Sequence, residues 1–253
     1  MHGGTWIQAK EVVDMKTYTS FQELDALGEG LAKKYTGNTH RWNSCCFDIE
    51  GFITDFLKLP ILYEAFAEDD PSKIGFLSDG ITPLIVYRAG KKTPIVFPKD
   101  TIVIESFLQR SDESGRRRFT LAHEAAHFIL NRHVPMQTAC FHNEYDHEFH
   151  YSGEELAKMF SLNETLTNRL GAAVLMPPFL VGRALKKYNN GQPIVYYTEG
   201  VFAPDTKIRL QSMPDALGVS YLALINRLRE LRLLECRPIE EYIDHALFPK
   251  ASI

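Results

Sequence analysis

His123-Glu124-Ala125-Ala126-His127 lies in a run that predicts one α-helix over residues 116–131. Residues four apart on a helix stand one turn apart on the same face, so both imidazoles point to the same side. Two histidines need this separation to bind one tetrahedral zinc ion, which lowers the pKa of a bound water to roughly 7. Glu124 can reach that water without binding the metal. The pattern predicts His123 and His127 as zinc ligands and Glu124 as the general base of a hydrolase.

The rest of this helix is mostly apolar, which predicts that it is buried. Its apolar residues are Phe119, Ala122, Ala126, Phe128, Ile129 and Leu130. Histidines in a buried helix need polar partners or a metal, because an unpaired buried polar group is costly. This context argues against the alternative, a surface helix that carries two solvated histidines.

Composition indicates an ordinary globular protein. The chain has 253 residues, of which 45% are apolar and 24% charged, and its net charge is −4. This charge gives no general attraction to nucleic acid or to an anionic membrane, and no apolar run approaches the ~20 residues of a membrane helix. The four cysteines, Cys45, Cys46, Cys140 and Cys236, lack metal-ligand spacing, which predicts free thiols in a reducing cytoplasm.

The order of the predicted elements indicates an α+β fold. Helical spacing predicts helices over 19–35 and 48–57, and short β-favouring runs predict an antiparallel meander over 61–66, 74–77, 84–87, 94–97 and 102–104. After the histidine helix, a polar segment covers 131–153, and helices are predicted over 154–160, 163–175 and 179–188.

We predict three parts in the chain. Residues 1–40 form an N-terminal helical segment, residues 41–190 a zinc peptidase domain with a small antiparallel sheet, and residues 191–253 a helical C-terminal subdomain. Residues 191–203 have irregular or strand-like character and are predicted to be a linker, and the last 50 residues are predicted to be helical.

A catalytic zinc site of this kind needs a third protein ligand, and the residues leave three alternatives open. The first is Glu164, on a predicted helix whose other face is apolar. Asn168 lies one turn further along the same face, where its carbonyl could accept the ring N–H of a ligand histidine and fix the tautomer of that ring.

The second alternative is His133, six residues after His127, although Leu130 stands where the corresponding metzincin motif needs glycine. The third is a residue of the polar segment: Asp146, His147, Glu148 or His150. A further donor could stabilise the oxyanion of the reaction, and the candidates are His150, Tyr151, Tyr196 and Tyr197.

Three stretches of the chain resemble the ImmA/IrrE-type metallopeptidases. Residues 118–124, RFTLAHE, resemble the opening of the active helix in that family, and residues 168–177 resemble the end of its second signature, E-x-E-A-N-x-F-A-A-x-L-L-M-P. Glu164 and Asn168 stand at the positions of the ligand Glu and the Asn in that signature. Residues 216–231 resemble the helical pair that follows. The family's second acidic residue is Leu166 here, and Ala125-Ala126 replaces its usual Leu-Gly.

The resemblance implies a cytoplasmic zinc endopeptidase with a zincin-like, gluzincin-type core. It also implies His123, His127 and Glu164 as ligands, and a DNA-binding repressor as substrate. The alternative is a non-catalytic regulator that binds DNA or protein and is only stabilised by zinc. A structural zinc site is closed by four ligands, whereas three ligands and a nearby Glu leave one position open.

The C-terminal helical pair could be a helix-turn-helix or a packed hairpin. Ser220 is predicted to cap the second helix, whose apolar stripe excludes Arg227, Arg229 and Arg232. Three arginines beside Glu230 in an acidic chain favour a packed hairpin with a solvated charged face. Direct binding of nucleic acid is therefore not expected.

Overall fold

The computed structural model describes residues 20–37, 44–133, 140–143 and 162–247. The helices in these ranges are α1 (Phe21–Gly37), α2 (Ile49–Gly51, continued by a π-helical turn over Phe52–Leu57), α3 (Ser114–His133), α4 (Leu162–Leu175), α5 (Pro178–Asn189), α6 (Pro204–Leu217), α7 (Tyr221–Glu230) and α8 (Ile239–Leu247). The strands are β1 (Ile61–Glu64), β2 (Lys73–Leu77), β3 (Leu84–Arg88), β4 (Lys91–Ile95), β5 (Ile102–Glu105), β6 (Cys140–Asn143), β7 (Ile194–Tyr197) and β8 (Leu234–Arg237).

This architecture confirms the predicted α+β class, with a helix that carries both histidines and a helical C-terminal region. Among the described residues, no helix is long and apolar enough to cross a membrane. The predicted domain boundaries stay predictions.

The main sheet is mixed, so the predicted antiparallel meander is wrong. Its strand order is β1-β5-β2-β6, with β1 parallel to β5 and the other pairs antiparallel. Strands β3 and β4 form a separate antiparallel pair. Strands β2 and β5 are buried almost throughout, which explains why they occupy the centre of the sheet. The turns in the sequence mark where strands end, but they do not determine which strands pair.

The two faces of the sheet are covered by different elements. Side chains alternate along β2. Phe76 belongs to a small apolar cluster beneath the β3–β4 pair, together with Leu84 and Val86. The neighbouring Gly75 faces α3, where an added Cβ would overlap Glu124. The sheet therefore supports α3 on one face and is covered by the hairpin on the other.

Helix α4 lies between α1 and α3 and approaches both closely. A Cβ added to Gly28 on α1 would stand 2.6 Å from the Cβ of Ala173 on α4. On the other side of α4, a Cβ added to Gly171 would stand 3.2 Å from the backbone carbonyl of Ala122 on α3. Small residues thus allow the three helix backbones to pack side by side.

We expect Gly28→Ala to lower the free energy of unfolding by about 1–3 kcal/mol, because the new methyl group must displace helix α4. Gly30→Ala, two residues further along α1, is the matched control. Gly30 is exposed and nothing lies within 4 Å of its added Cβ. This control should stabilise the protein by about 0.5–1 kcal/mol through helix propensity. Urea unfolding measures both changes, and stabilisation by both substitutions would contradict the close packing of α1 and α4.

The C-terminal part contains a second small sheet that the sequence does not predict. Strands β7 and β8 pair in parallel, and Ile194 of β7 is fully buried. The stretch over 191–203 is therefore not a simple linker, and the last 50 residues are not all helical. The predicted cap of α7 is confirmed, since the Ser220 hydroxyl accepts a hydrogen bond from the backbone N–H of Ala223 at 3.2 Å.

Two arginines, one in the C-terminal part and one on α3, make contacts inside the protein that the sequence does not predict. Arg227 is fully buried instead of lying on a solvated face. Arg118, at the start of the histidine motif, donates from Nε to the backbone carbonyl of Gly218 at 2.8 Å and also binds the carbonyl of Phe47. It thereby ties α3 to the turn between α6 and α7.

Candidate metal centre

Helix α3 carries its three polar motif residues into the core. His123 and Glu124 are 0% exposed and His127 is 1% exposed. They are buried together with apolar residues of the same helix, such as Leu121 and Ala126. The two imidazole rings meet edge to face, with centroids 4.6 Å apart. Folding pays a desolvation cost for three such groups, so their burial indicates that they serve a site.

Helix α4 places Glu164 opposite the two histidines. One carboxylate oxygen of Glu164 lies 3.3 Å from Nε2 of His123, and the other lies 3.5 Å from Nε2 of His127. The three candidate ligand atoms all lie within 4.8 Å of one another. Ligands about 2.0–2.1 Å from a tetrahedral zinc ion are separated from each other by roughly 3.3 Å. The spacing of these atoms therefore fits one metal ion between them.

The second nitrogen of each ring is held by the same helix α4. The amide oxygen of Asn168 lies 2.8 Å from Nδ1 of His123, and the hydroxyl oxygen of Thr167 lies 3.3 Å from Nδ1 of His127. An amide oxygen can only accept, so Nδ1 of His123 carries the proton and the lone pair is on Nε2. That lone pair is directed toward Glu164, as a metal ligand requires.

The electrostatics of the ligands also fit a cation. Burial lowers the pKa of His123, which keeps its imidazole neutral and able to bind a metal. Burial alone would raise the pKa of Glu164, but the two histidines beside it hold that pKa well below the usual value. Glu164 is therefore ionised, and the site offers the neutral nitrogen of His123 and a negative carboxylate.

Glu124 lies beside the ligands in a different environment. Its burial and the negative charge of Glu164 raise its pKa well above the usual value, and the backbone N–H of Leu77 opposes this weakly. Within the described residues, neither carboxylate oxygen forms a hydrogen bond of normal geometry. A buried carboxylate without such a bond is unfavourable unless a cation or a water occupies the space that it faces. The donor set and this carboxylate together fit a metal ion with one open position.

The remaining predicted site residues fall in two groups. The first group lies outside the described residues. It comprises the side chain of His133 and the candidates of the polar segment, Asp146, His147, Glu148, His150 and Tyr151. Tyr196 and Tyr197 belong to β7, where their rings pack against Phe202 and Tyr242 respectively. The choice of Glu164 over His133, and the oxyanion donor, stay predictions.

Sequence reasoning missed two residues that shape this centre. Thr167 follows Glu164 by three positions, and that spacing alone places it on the same side of the helix. Gly75 gave no signal in the sequence. Its missing side chain leaves the space that Glu124 occupies, since an added Cβ would overlap the Glu124 carboxylate and lie 2.8 Å from Cγ2 of Thr120.

One comparison with known proteins identifies this region. Residues 107–229 match the model of the peptidase M78 family, which is described as an IrrE N-terminal-like domain. The matched range includes α3 and α4, and with them all three candidate ligands and Glu124. A comparison with curated proteins gives no match.

Proposed function

The chain belongs, through residues 107–229, to the peptidase M78 (ImmA/IrrE) family of metallopeptidases, and on this premise we propose that it is a zinc-dependent endopeptidase. One observation carries the proposal: Glu164 lies opposite His123 and His127 within reach of a single metal ion, and the buried carboxylate of Glu124 lies beside them. Imidazole and carboxylate are ligands that suit zinc.

In this proposal His123, His127 and Glu164 hold the metal, while Asn168 and Thr167 orient the two rings. Zinc bound there would lower the pKa of a bound water and polarise the scissile carbonyl. Glu124 accepts a proton from the water as the water oxygen bonds to the scissile carbonyl carbon, and it returns that proton to the nitrogen as the C–N bond breaks, which leaves a carboxyl group and an amine. Burial raises the pKa of Glu124, which makes its carboxylate a stronger base than that of an exposed glutamate.

We propose a DNA-binding protein of the repressor type as the substrate, in the cytoplasm. The support is the family, together with the long polar segment over 131–153 that separates the two metal-binding helices in sequence and could extend the contact with a folded partner. Cys45, Cys46 and Cys236 are free thiols, in keeping with a reducing compartment.

Direct DNA binding by the helical pair α6–α7 is the weaker alternative. Of the three arginines that could have faced a duplex, Arg227 is fully buried and paired with Asp25 and Glu230. A net charge of −4 also disfavours phosphate binding, which depends on neutralising many backbone charges.

The experiment that tests the proposal uses the purified full chain loaded with zinc. We would incubate it with a repressor-type protein encoded beside its gene, with and without 1,10-phenanthroline, and identify fragments by mass spectrometry. We expect a discrete cleavage product that disappears with the chelator and returns with added zinc. Salt-sensitive binding of the chain to duplex DNA, without cleavage of the repressor-type protein or of unfolded casein, would overturn the proposal in favour of a DNA-binding regulator.

We expect Asn168→Ala to weaken zinc binding by roughly 10- to 100-fold, because His123 loses the acceptor that fixes its tautomer. Asn168→Asp keeps an acceptor oxygen at this position and should lose much less affinity. Competition with a chromophoric chelator measures both constants. Equal zinc affinity of the alanine variant and the wild type would show that the contact between Asn168 and His123 does not assist the metal.

A further inference from the structure

Four charged side chains join α1, α4 and α7, and we call them the charged cluster: Asp25, Arg169, Arg227 and Glu230. Nη1 of Arg227 lies 2.6 Å from Asp25 and 3.0 Å from Glu230. Nη1 of Arg169 lies 3.0 Å from Glu230, and its Nη2 binds Asp25. Each carboxylate therefore bridges both guanidinium groups, and the formal charges of the cluster cancel.

Helix α4 is held at two points by this cluster. Arg169 belongs to α4 itself and binds both carboxylates. The second point is the backbone carbonyl of Met176, directly after the last residue of α4, which accepts a hydrogen bond from Nε of Arg227 at 3.0 Å. Because Arg227 is 0% exposed, its bond to the Met176 carbonyl is shielded from water and is directional.

Small residues bring α4 close to its two neighbouring helices. Its contact with α1 places Ala173 against Gly28, and its contact with α3 places Gly171 against Ala122. Such small residues allow close approach, but they supply few protruding side chains that would lock one helix against another. The charged cluster adds directional contacts between α4 and the helices α1 and α7.

The rotation of α4 determines the geometry of the metal centre. Arg169 follows Glu164 by five residues, which is roughly 7.5 Å along the helix axis and about 140° around it. A rotation of about 10° would move a carboxylate held roughly 6 Å from the axis by about 1 Å. Metal–ligand distances vary by only about 0.2 Å, so a change of this size would disturb the site.

We propose that the charged cluster is a positioning network that sets the rotation of α4 and thereby holds Glu164 and Asn168 against the histidines of α3. The proposal rests on the proposed function insofar as Glu164 is taken as a metal ligand. Buried ion pairs are often replaceable by apolar residues without loss of stability. The effect that distinguishes positioning from simple stabilisation is therefore a change in metal affinity and ligand geometry.

The test compares Glu230→Gln and Asp25→Asn with Glu235→Gln in the full chain. The side chain of Glu230 is 29% exposed, so its neutral analogue should fold, while both arginines lose a shared charge. Glu235 pairs with Arg237 on the surface of the same region and serves as the matched control. We expect roughly 10-fold weaker zinc binding for Glu230→Gln, a larger loss for Asp25→Asn, and wild-type affinity for Glu235→Gln.

A second readout separates positioning from loss of stability. The visible absorption of the Co²⁺-substituted protein reports ligand geometry, and it should change in the two cluster variants. Leu84→Ala, a truncation under the β3–β4 hairpin on the opposite face of the sheet, should destabilise the protein and leave both zinc affinity and this spectrum unchanged. The same variants are followed by urea unfolding, so that every comparison is made on folded protein.

Wild-type zinc affinity and a wild-type Co²⁺ spectrum in folded Glu230→Gln would overturn the proposal. If Asp25→Asn does not fold, the result for Glu230→Gln alone decides. Equal losses of zinc affinity in Leu84→Ala and in the cluster variants would also overturn it. The failure of the proposed function gives a different result. In that case the wild type and the cluster variants would differ in zinc affinity, but the zinc-loaded wild type would cleave no protein.

Discussion

Glu124→Gln is expected to lower kcat/KM for protein cleavage by about 10²- to 10⁴-fold, the usual contribution of a general base. Glutamine keeps the shape of the side chain but cannot accept the proton of the attacking water. The zinc content should stay at the wild-type level, because Glu124 is not one of the three grouped ligands. Cleavage rates with metal analysis on the same preparation measure both quantities.

The fold should tolerate this substitution. Glutamine has nearly the shape of glutamate and carries no charge, and burial disfavours the charged form of Glu124. Glu113→Gln, just before the start of α3, is the matched control, since its partly exposed side chain lies 3.4 Å from Arg116 and is not one of the grouped ligands. This control should retain full activity. If Glu124→Gln stays active with zinc bound, Glu124 is not the base.

Glu164→Ala is expected to weaken zinc binding by more than about 100-fold, since the loss of a partner that only orients a ligand already costs 10- to 100-fold. The substitution removes the carboxylate that lies 3.3 Å and 3.5 Å from the two histidine Nε2 atoms. It also removes the negative charge that favours a cation in a buried site. Equilibrium competition with a chelator, followed by activity at saturating zinc, measures the effect.

His133→Ala tests the competing ligand in the same assay. If Glu164 is the ligand, the His133 variant keeps wild-type zinc affinity. The reverse result, with affinity lost in His133→Ala and kept in Glu164→Ala, would assign the third position to the residue six places after His127. A loss in both variants would point to a ligand set larger than three.

The sequence by itself determined the chemistry of the candidate centre because that chemistry is encoded by local spacing. Two histidines four apart fall on one face of a helix whatever the rest of the chain does, and the same period aligns Glu164 with Asn168. The burial of α3 also followed from its own apolar residues. The helix pattern made Glu164 one of three alternative third ligands, and the family resemblance then implied Glu164.

Tertiary structure alone decided which strands pair, that Arg227 is buried and where Glu124 finds space. Strands β1 and β5 lie side by side although about 40 residues separate them, because strand pairing depends on long-range packing that turn residues do not specify. The burial of Arg227 required Asp25, which lies on the first helix and is remote in sequence. The space for Glu124 required the absence of a side chain at Gly75, on a strand that meets α3 only in the folded protein.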